Sequence, residues 1–233
     1  MKQVMNTKKE RKMYKWNSLA ELWALLNDKT EYVILRNFEN LNEEISLSIH
    51  PDIDFLCSNR NVFLSIIKSE PRNGNLKDYV HRVINVGGKN VDIDIRCVGD
   101  GYYDEMWEKE ILKTRILSEE GFYIPSNEHY FYSLLYHVLI QKKTISKDYE
   151  DKLLNLAKDV DNETDDFIIS VKVLQKYMKT KGFYFTYPEN SRTIANFGIV
   201  DKSMIKNDLY KKIIRAMYNI RKNIKRQIYG RKN

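Results

Sequence analysis

Two short segments, HPDIDFLC (residues 50–57) and NVDIDIRCV (residues 90–98), place the tightest limits on how this chain folds. In each, two aspartates alternate with apolar residues: Asp52 and Asp54 with Ile53 and Phe55, then Asp92 and Asp94 with Ile93 and Ile95. Successive side chains of a strand point to opposite faces of a sheet, so the alternation turns the isoleucines and Phe55 toward a core and the acids toward the other face. Side-by-side carboxylates repel, and the arrangement is costly unless cations neutralise them. Both segments are therefore expected in one sheet with an apolar and an acidic face.

The surrounding pattern predicts an α+β fold. Ser18-Leu-Ala-Glu21 has the form of a capping box before a helix from Leu19 to Asn27, and Tyr32 to Leu35 reads as a buried strand. A polar, turn-rich interval from Asn37 to Glu44 separates it from the strand Ile53 to Leu56, after which Asn61 to Ser69 suits a short helix. The runs Tyr79 to Val86 and Val91 to Val98 are joined by Gly87-Gly88-Lys89-Asn90, which favours a hairpin and antiparallel neighbours. Helical spacing then follows over residues 104–117, Ser126 to Lys142, Ser146 to Ala157 and Asp165 to Lys179, with an aromatic extended stretch from Phe183 to Pro188. These elements divide the chain into a polar leader (1–17), an α/β domain (18–124), a helical domain (125–200) and a basic amphipathic helix (201–233). At 233 residues, with 42% apolar and 12% aromatic content, the chain has ample material for a core. No apolar run is long enough to span a membrane and no secretory signal is visible, so a soluble, cytoplasmic protein is expected. Cys57 and Cys97, each within an apolar segment, are expected as reduced, buried thiols.

Hard divalent ions such as Mg2+ or Mn2+ take oxygen ligands from acids of this kind together with substrate phosphates. Three converging carboxylates can hold two metals, which clamp the attacking and leaving oxygens of a phosphoryl displacement. The chemistry suggested is phosphoryl or nucleotidyl transfer. Asp-x-Asp is also used by sugar-nucleotide glycosyltransferases to hold a metal, which leaves that reaction as a competing reading.

Helix, strand and turn, an apolar-Asp-apolar-Asp-apolar strand, and a third acid on a later strand form an order that resembles the nucleotidyltransferase fold of the DNA polymerase β superfamily. The resemblance covers roughly residues 18–140. It implies a small mixed sheet of nucleotidyltransferase type followed by a helical C-terminal half, with Asp52, Asp54 and one of Asp92 or Asp94 as metal ligands. Asp94 is favoured because its Asp-Ile-Arg ending resembles the third-acid strand, although both acids point to one face. Nucleotidyltransferase-like proteins of bacterial capsule and cell-surface polysaccharide synthesis look similar across the acid strands and FYIPSNEHYFYSLLYHVLIQKK. The superfamily carries Gly-Ser or Gly-Gly after its first strand, whereas this chain has Leu35-Arg36-Asn37-Phe38. Arg36 is a candidate to replace that phosphate grip with a charge-assisted contact.

Arg96 shares the face of Asp94 and is a candidate for holding phosphate or for neutralising the acids. Residues 99–104 read either as a substrate loop or as a plain turn with Asp104 capping a helix. His129, Tyr132, Tyr136, His137 and Lys142 are polar groups on an apolar helix, better read as core or solvated residues, with His137 and Lys142 the two that could reach a cleft; His50 is read the same way. The net charge of +7 is concentrated: residues 209–233 hold nine basic residues and no acid, leaving −2 for residues 1–208. In that tail Ile213, Ile214, Met217, Ile220, Ile224 and Ile228 recur at helical spacing, which suits an anionic membrane surface, packing on its own domain, or a nucleic acid.

The expectation is a metal-dependent nucleotidyl- or phosphoryl-transferase of cell-surface polysaccharide or lipid-linked glycan synthesis, peripheral at the inner face of the membrane. Asp52, Asp54 and Asp94 hold the metals in this reading, with Asp94 helping to deprotonate an acceptor hydroxyl, and Arg36, Asn37 and Arg96 contact a nucleotide-linked donor. The alternative from another class is a degenerate nucleotidyltransferase-like module that binds nucleic acid or serves in a toxin-antitoxin pair.

Overall fold

The computed structural model describes residues 13–39, 41, 52–160 and 169–229. Residues 1–12, 40, 42–51, 161–168 and 230–233 lie outside them, which takes in His50 and half of the expected turn-rich interval.

The fold is α+β, built on a mixed sheet. Strand β1 (Lys15–Trp16) precedes α1 (Leu19–Lys29), whose cap is formed by the Ser18 hydroxyl accepting from the Glu21 N–H. Glu21 reaches back to the Asn17 N–H at 2.9 Å, one residue earlier than the usual capping box. Then come β2 (Tyr32–Ile34), β3 (Asp52–Cys57), α2 (Arg60–Ile67), β4 (Glu70–Pro71), β5 (His81–Val86) and β6 (Lys89–Cys97). The sheet order is β1-β5-β6-β3-β2, with β4 against the outer side of β5. β3 and β6 run parallel, whereas β5 lies antiparallel to β6 and β2 antiparallel to β3.

The β5–β6 connection is tighter than expected. Val86 pairs with Lys89, so only Gly87 and Gly88 turn the chain, at φ of 59° and 91°. Both are left-handed angles that glycine adopts without a Cβ penalty, and a two-residue turn of this type matches the twist of its strands. Lys89 and Asn90, expected in the turn, belong to β6.

Beyond the sheet, α3 (Glu105–Lys113) is capped by Asp104, whose carboxylate accepts from the Met106 N–H. The helix expected to reach residue 117 stops short. Arg115 turns back to donate to the Leu112 carbonyl and lies over the Tyr123 ring, and Ile116–Leu117 (β7) pair with Tyr123–Ile124 (β8). The long helix expected from Ser126 to Lys142 is α4 (Asn127–Tyr136) followed by a π-helical turn, His137–Gln141. α5 (Lys147–Val160), α6 (Val171–Lys181) and α7 (Leu209–Tyr229) complete the chain. α6 starts at the Ser170 cap, and the start expected at Asp165 lies outside the described residues. Part of the segment expected as a polar leader is structural: Trp16 is buried in β1 and its indole donates to the Ile67 carbonyl.

One hydrophobic cluster links the sheet to the later helices, from Trp16, Trp23 and Phe55 through Ile93 and Ile95 to Trp107, Leu134 and Phe185. Phe183 stacks on Trp107 and Phe185 on Tyr136, which seats the extended aromatic stretch against α3 and α4. Cys57 and Cys97 are free, buried thiols at paired positions of β3 and β6. Among the described residues no helix is long and apolar enough to cross a membrane.

Candidate functional site

Because β3 and β6 pair in parallel and in register, Asp52 lies opposite Asp92 and Asp54 opposite Asp94. Paired residues on adjacent strands share a face about 5 Å apart, so four carboxylates form a two-by-two grid. The intervening Ile53, Phe55, Ile93 and Ile95 have at most 1% of their surface exposed on the opposite face. Antiparallel pairing of β5 adds His81 beside Asp94.

The grid is met by three arginines, two from elsewhere in the chain and one on β6 itself. Arg36, just after β2, meets Asp54 at 2.8 Å with both side chains buried, and donates to the Tyr102 hydroxyl at 3.1 Å. Arg72, after β4, lies 3.2 Å from Asp92 and 3.5 Å from Asp94. Arg96 lies 3.4 Å from Asp94 and rests on the Tyr102 ring, 4.3 Å from its centroid. Tyr102 thus spaces two guanidinium groups that would otherwise repel, with its hydroxyl toward one and its π face toward the other. Asp52 is exposed and has no cationic partner among the described residues. Burial, and then the nearby charge of Asp54, push the Asp94 carboxyl above the ordinary aspartate value in spite of Arg96, His81 and Arg72.

Asp52, Asp54 and Asp94 line a cleft of about 660 Å3 with Arg36, Asn37 and Arg96, and Asp92 falls outside that lining, paired to Arg72. Of α4 and the π turn that follows it, His137, Gln141 and the next residue, Lys142, reach the cleft. His137 Nδ1 lies 3.0 Å from the Gln141 amide oxygen, and the Gln141 amide donates to the Tyr102 carbonyl. That pairing assigns the proton to Nδ1 and leaves Nε2, which is buried and has no hydrogen-bond partner among the described residues, unprotonated. Burial and the Arg36 charge hold the ring well below the ordinary histidine pKa, so it is neutral. His129 instead sits in the core between the Trp107 indole and the Tyr177 hydroxyl, and Tyr132 stacks on Tyr177. Lys152, Asn190 and Arg192 also line the cleft and had no signal in the sequence pattern.

Two local features clarify the earlier alternatives. Asn37 adopts φ 54° and its amide donates to the Tyr149 hydroxyl. Asparagine is among the few residues other than glycine that tolerate this left-handed angle, so the turn after β2 has glycine-like backbone geometry without glycine. Residues 99–104 are a closed turn: Asp100 accepts from the Cys97 and Tyr102 N–H groups, and Glu108 accepts from those of Gly99 and Tyr103. A Cβ at Gly101 would stand 2.5 Å from the Tyr187 carbonyl, so glycine is required there. From this turn only Tyr102 enters the acid cleft.

Among the described residues no three aspartates, glutamates, histidines or cysteines converge into a metal-binding group as they stand. The donor chemistry of Asp52, Asp54 and Asp94 nonetheless fits a hard cation: oxygen ligands in register on one wall, one of them without a cationic partner among the described residues. In comparisons with known proteins, no family model, curated protein or solved structure matches this chain.

Proposed function

We propose that the acid cleft is the active site of a metal-dependent nucleotidyl- or phosphoryl-transferase of nucleotidyltransferase type, working in cell-surface polysaccharide or lipid-linked glycan synthesis. The observation that carries the proposal is the parallel register that sets Asp54 beside Asp94, with Asp52 at the strand end, on the wall of a cleft large enough for a nucleotide. Mg2+ or Mn2+ held by Asp52, Asp54 and Asp94 would supply Lewis-acid stabilisation of the charge on a transferring phosphoryl group. Binding it requires Asp94 to exchange contacts with Arg96 and Arg72, which frees Arg96 for phosphate oxygens while Arg72 stays paired to Asp92. Lys142, Lys152 and Arg192 add positive charge along the same cleft. Arg36, buried against Asp54 and Tyr102, holds the first acid strand in place rather than gripping phosphate directly. His137, neutral beside the cleft, holds the Gln141 amide against the Tyr102 carbonyl and so positions the tyrosine between the two arginines. The glycine-like turn at Asn37 supports the same reading, because it preserves a backbone shape for close approach of a ligand.

A second reading draws on a specific observation. Three of the four acids already have arginine partners, as expected of a degenerate site that binds a ligand without metal chemistry. Thermal stabilisation by nucleoside triphosphates, CDP-alcohols and sugar nucleotides, each with and without Mg2+ or Mn2+, separates the two. A transferase shows a metal-dependent rise in melting temperature with one donor class, lost in Asp52→Ala. A shift that ignores metal favours the binding module, and a metal-dependent shift confined to sugar nucleotides favours a glycosyltransferase.

A further inference from the structure

The orientation of α7 is the reverse of what core packing would produce. Leu209, Tyr210, Ile213, Met217, Ile220 and Ile224 recur along one side of the helix, and that side faces solvent: Tyr210 is 75% exposed, Ile213 50%, Ile220 58% and Ile224 49%. The half-buried positions are Lys211, Lys212, Arg215 and Tyr218, on the opposite side. Arg215 donates to the Thr193 carbonyl at 2.7 Å and lies over the Tyr187 ring, and Lys212 lies near the same ring. The helix is thus fastened to the body by its basic edge and holds its apolar stripe outward. An exposed stripe of this length costs free energy in water unless something covers it.

We propose that α7 is a membrane-surface helix whose apolar stripe inserts among the headgroups of an anionic lipid bilayer. Charge selects this occupant. Residues 209–233 carry nine basic residues and no acid, and Arg221 is exposed on the part of the helix beyond the Arg215 anchor. Each basic residue near an anionic leaflet contributes on the order of 1 kcal/mol. A second copy covering the stripe would bring two such basic segments together, and the repulsion opposes it. A nucleic acid would take the basic edge, which Tyr187 and Thr193 already occupy near Arg215, and would leave the stripe in water. At 21 residues α7 is about 31 Å long. Its composition does not suit a span, so it lies in the interface. Thr193, which anchors Arg215, also lines the acid cleft, so docking ties one cleft wall to the lipid surface.

The test is co-sedimentation of the whole protein with vesicles of phosphatidylcholine alone or mixed with phosphatidylglycerol, using wild type and the double variant Ile213→Asp/Ile220→Asp. Both positions are exposed, so the variant should keep the wild-type melting temperature. Wild type is expected to pellet with the anionic vesicles, to stay in solution with the neutral ones, and to be released by added salt. The double variant should bind at least roughly tenfold more weakly. Failure of wild type to pellet with anionic vesicles overturns the proposal, as does equal pelleting of the variant. A wild-type dimer in light scattering that the variant separates into monomers assigns the stripe to a second copy. Retention on single-stranded RNA without retention on anionic vesicles assigns the tail to nucleic acid. None of these outcomes bears on the reaction in the cleft.

Discussion

The two faces of β3 and β6 alternate residue by residue yet are held by different forces. On one, Ile53, Phe55, Ile93 and Ile95 are buried against the core that contains Trp23 and Phe63. On the other, Asp52, Asp54, Asp92 and Asp94 sit in the same registers, and the last three are each paired to an arginine, Arg36, Arg72 or Arg96. The apolar face gains stability from water excluded. The acidic face gathers like charges at a cost, which is the usual mark of a site arranged for chemistry rather than for folding. Substitutions on the two faces should therefore separate activity from stability.

The largest effect is expected at Asp52, the exposed acid with no described partner. Asp52→Ala should lower turnover by at least about 10^3-fold, the scale of losing a group that stabilises transition-state charge, and should shift unfolding free energy by less than about 0.5 kcal/mol. Steady-state kinetics together with urea denaturation would show both, and wild-type turnover in this variant would erase the distinction between the faces. Ile93→Ala should do the reverse, costing about 2–5 kcal/mol for the cavity it leaves while the fraction still folded keeps its turnover. Arg36→Ala sharpens the contrast from the other direction. It strands the Asp54 charge in a buried place, for an expected loss of about 3–5 kcal/mol, and adding Asp54→Asn should recover part of it. If the single and double variants denature at the same urea concentration, the pair is not what holds the acidic face.

The smallest effect is a gain. The folded protein holds the Asp94 proton more tightly than the unfolded chain does, since its carboxyl is raised. The stability this contributes is complete below the unfolded value and is lost as pH rises through the raised one. At neutral pH the ionised Asp94 is therefore a burden. Asp94→Asn in metal-free buffer should raise the melting temperature by roughly 2–4 °C, the response of a domain this size to about 1 kcal/mol, with the gain shrinking on acidification. A lower melting temperature at neutral pH would mean that the Arg72 and Arg96 pairs outweigh burial.

The same two-residue period made the acid strands legible before any coordinates, because alternation fixes faces whatever the partner strand is. What stayed hidden came from pairings that periodicity does not encode. His81 stands beside Asp94 because Gly87 and Gly88 alone make the turn; a four-residue turn would have put Val83 there. Arg72 reaches the acids through β4, two residues long and too short for any pattern. Trp16 was masked by its charged neighbours, and Ile116 and Leu117 continued a helical spacing that Arg115 ends by turning back. His137 was visible as a polar residue on an apolar helix, but its place in the cleft depends on the π turn that follows α4.

Manganese binding, followed by the electron paramagnetic resonance of the free ion, tests the central claim most directly. Wild-type protein is titrated with Mn2+ in the presence of the nucleotide that stabilises it best, alongside Asp52→Ala. The account predicts saturable Mn2+ uptake that depends on nucleotide in wild type and is lost or weakened by at least roughly tenfold in the variant. Equal uptake by both proteins, or none by wild type, would contradict a metal site on the acidic face.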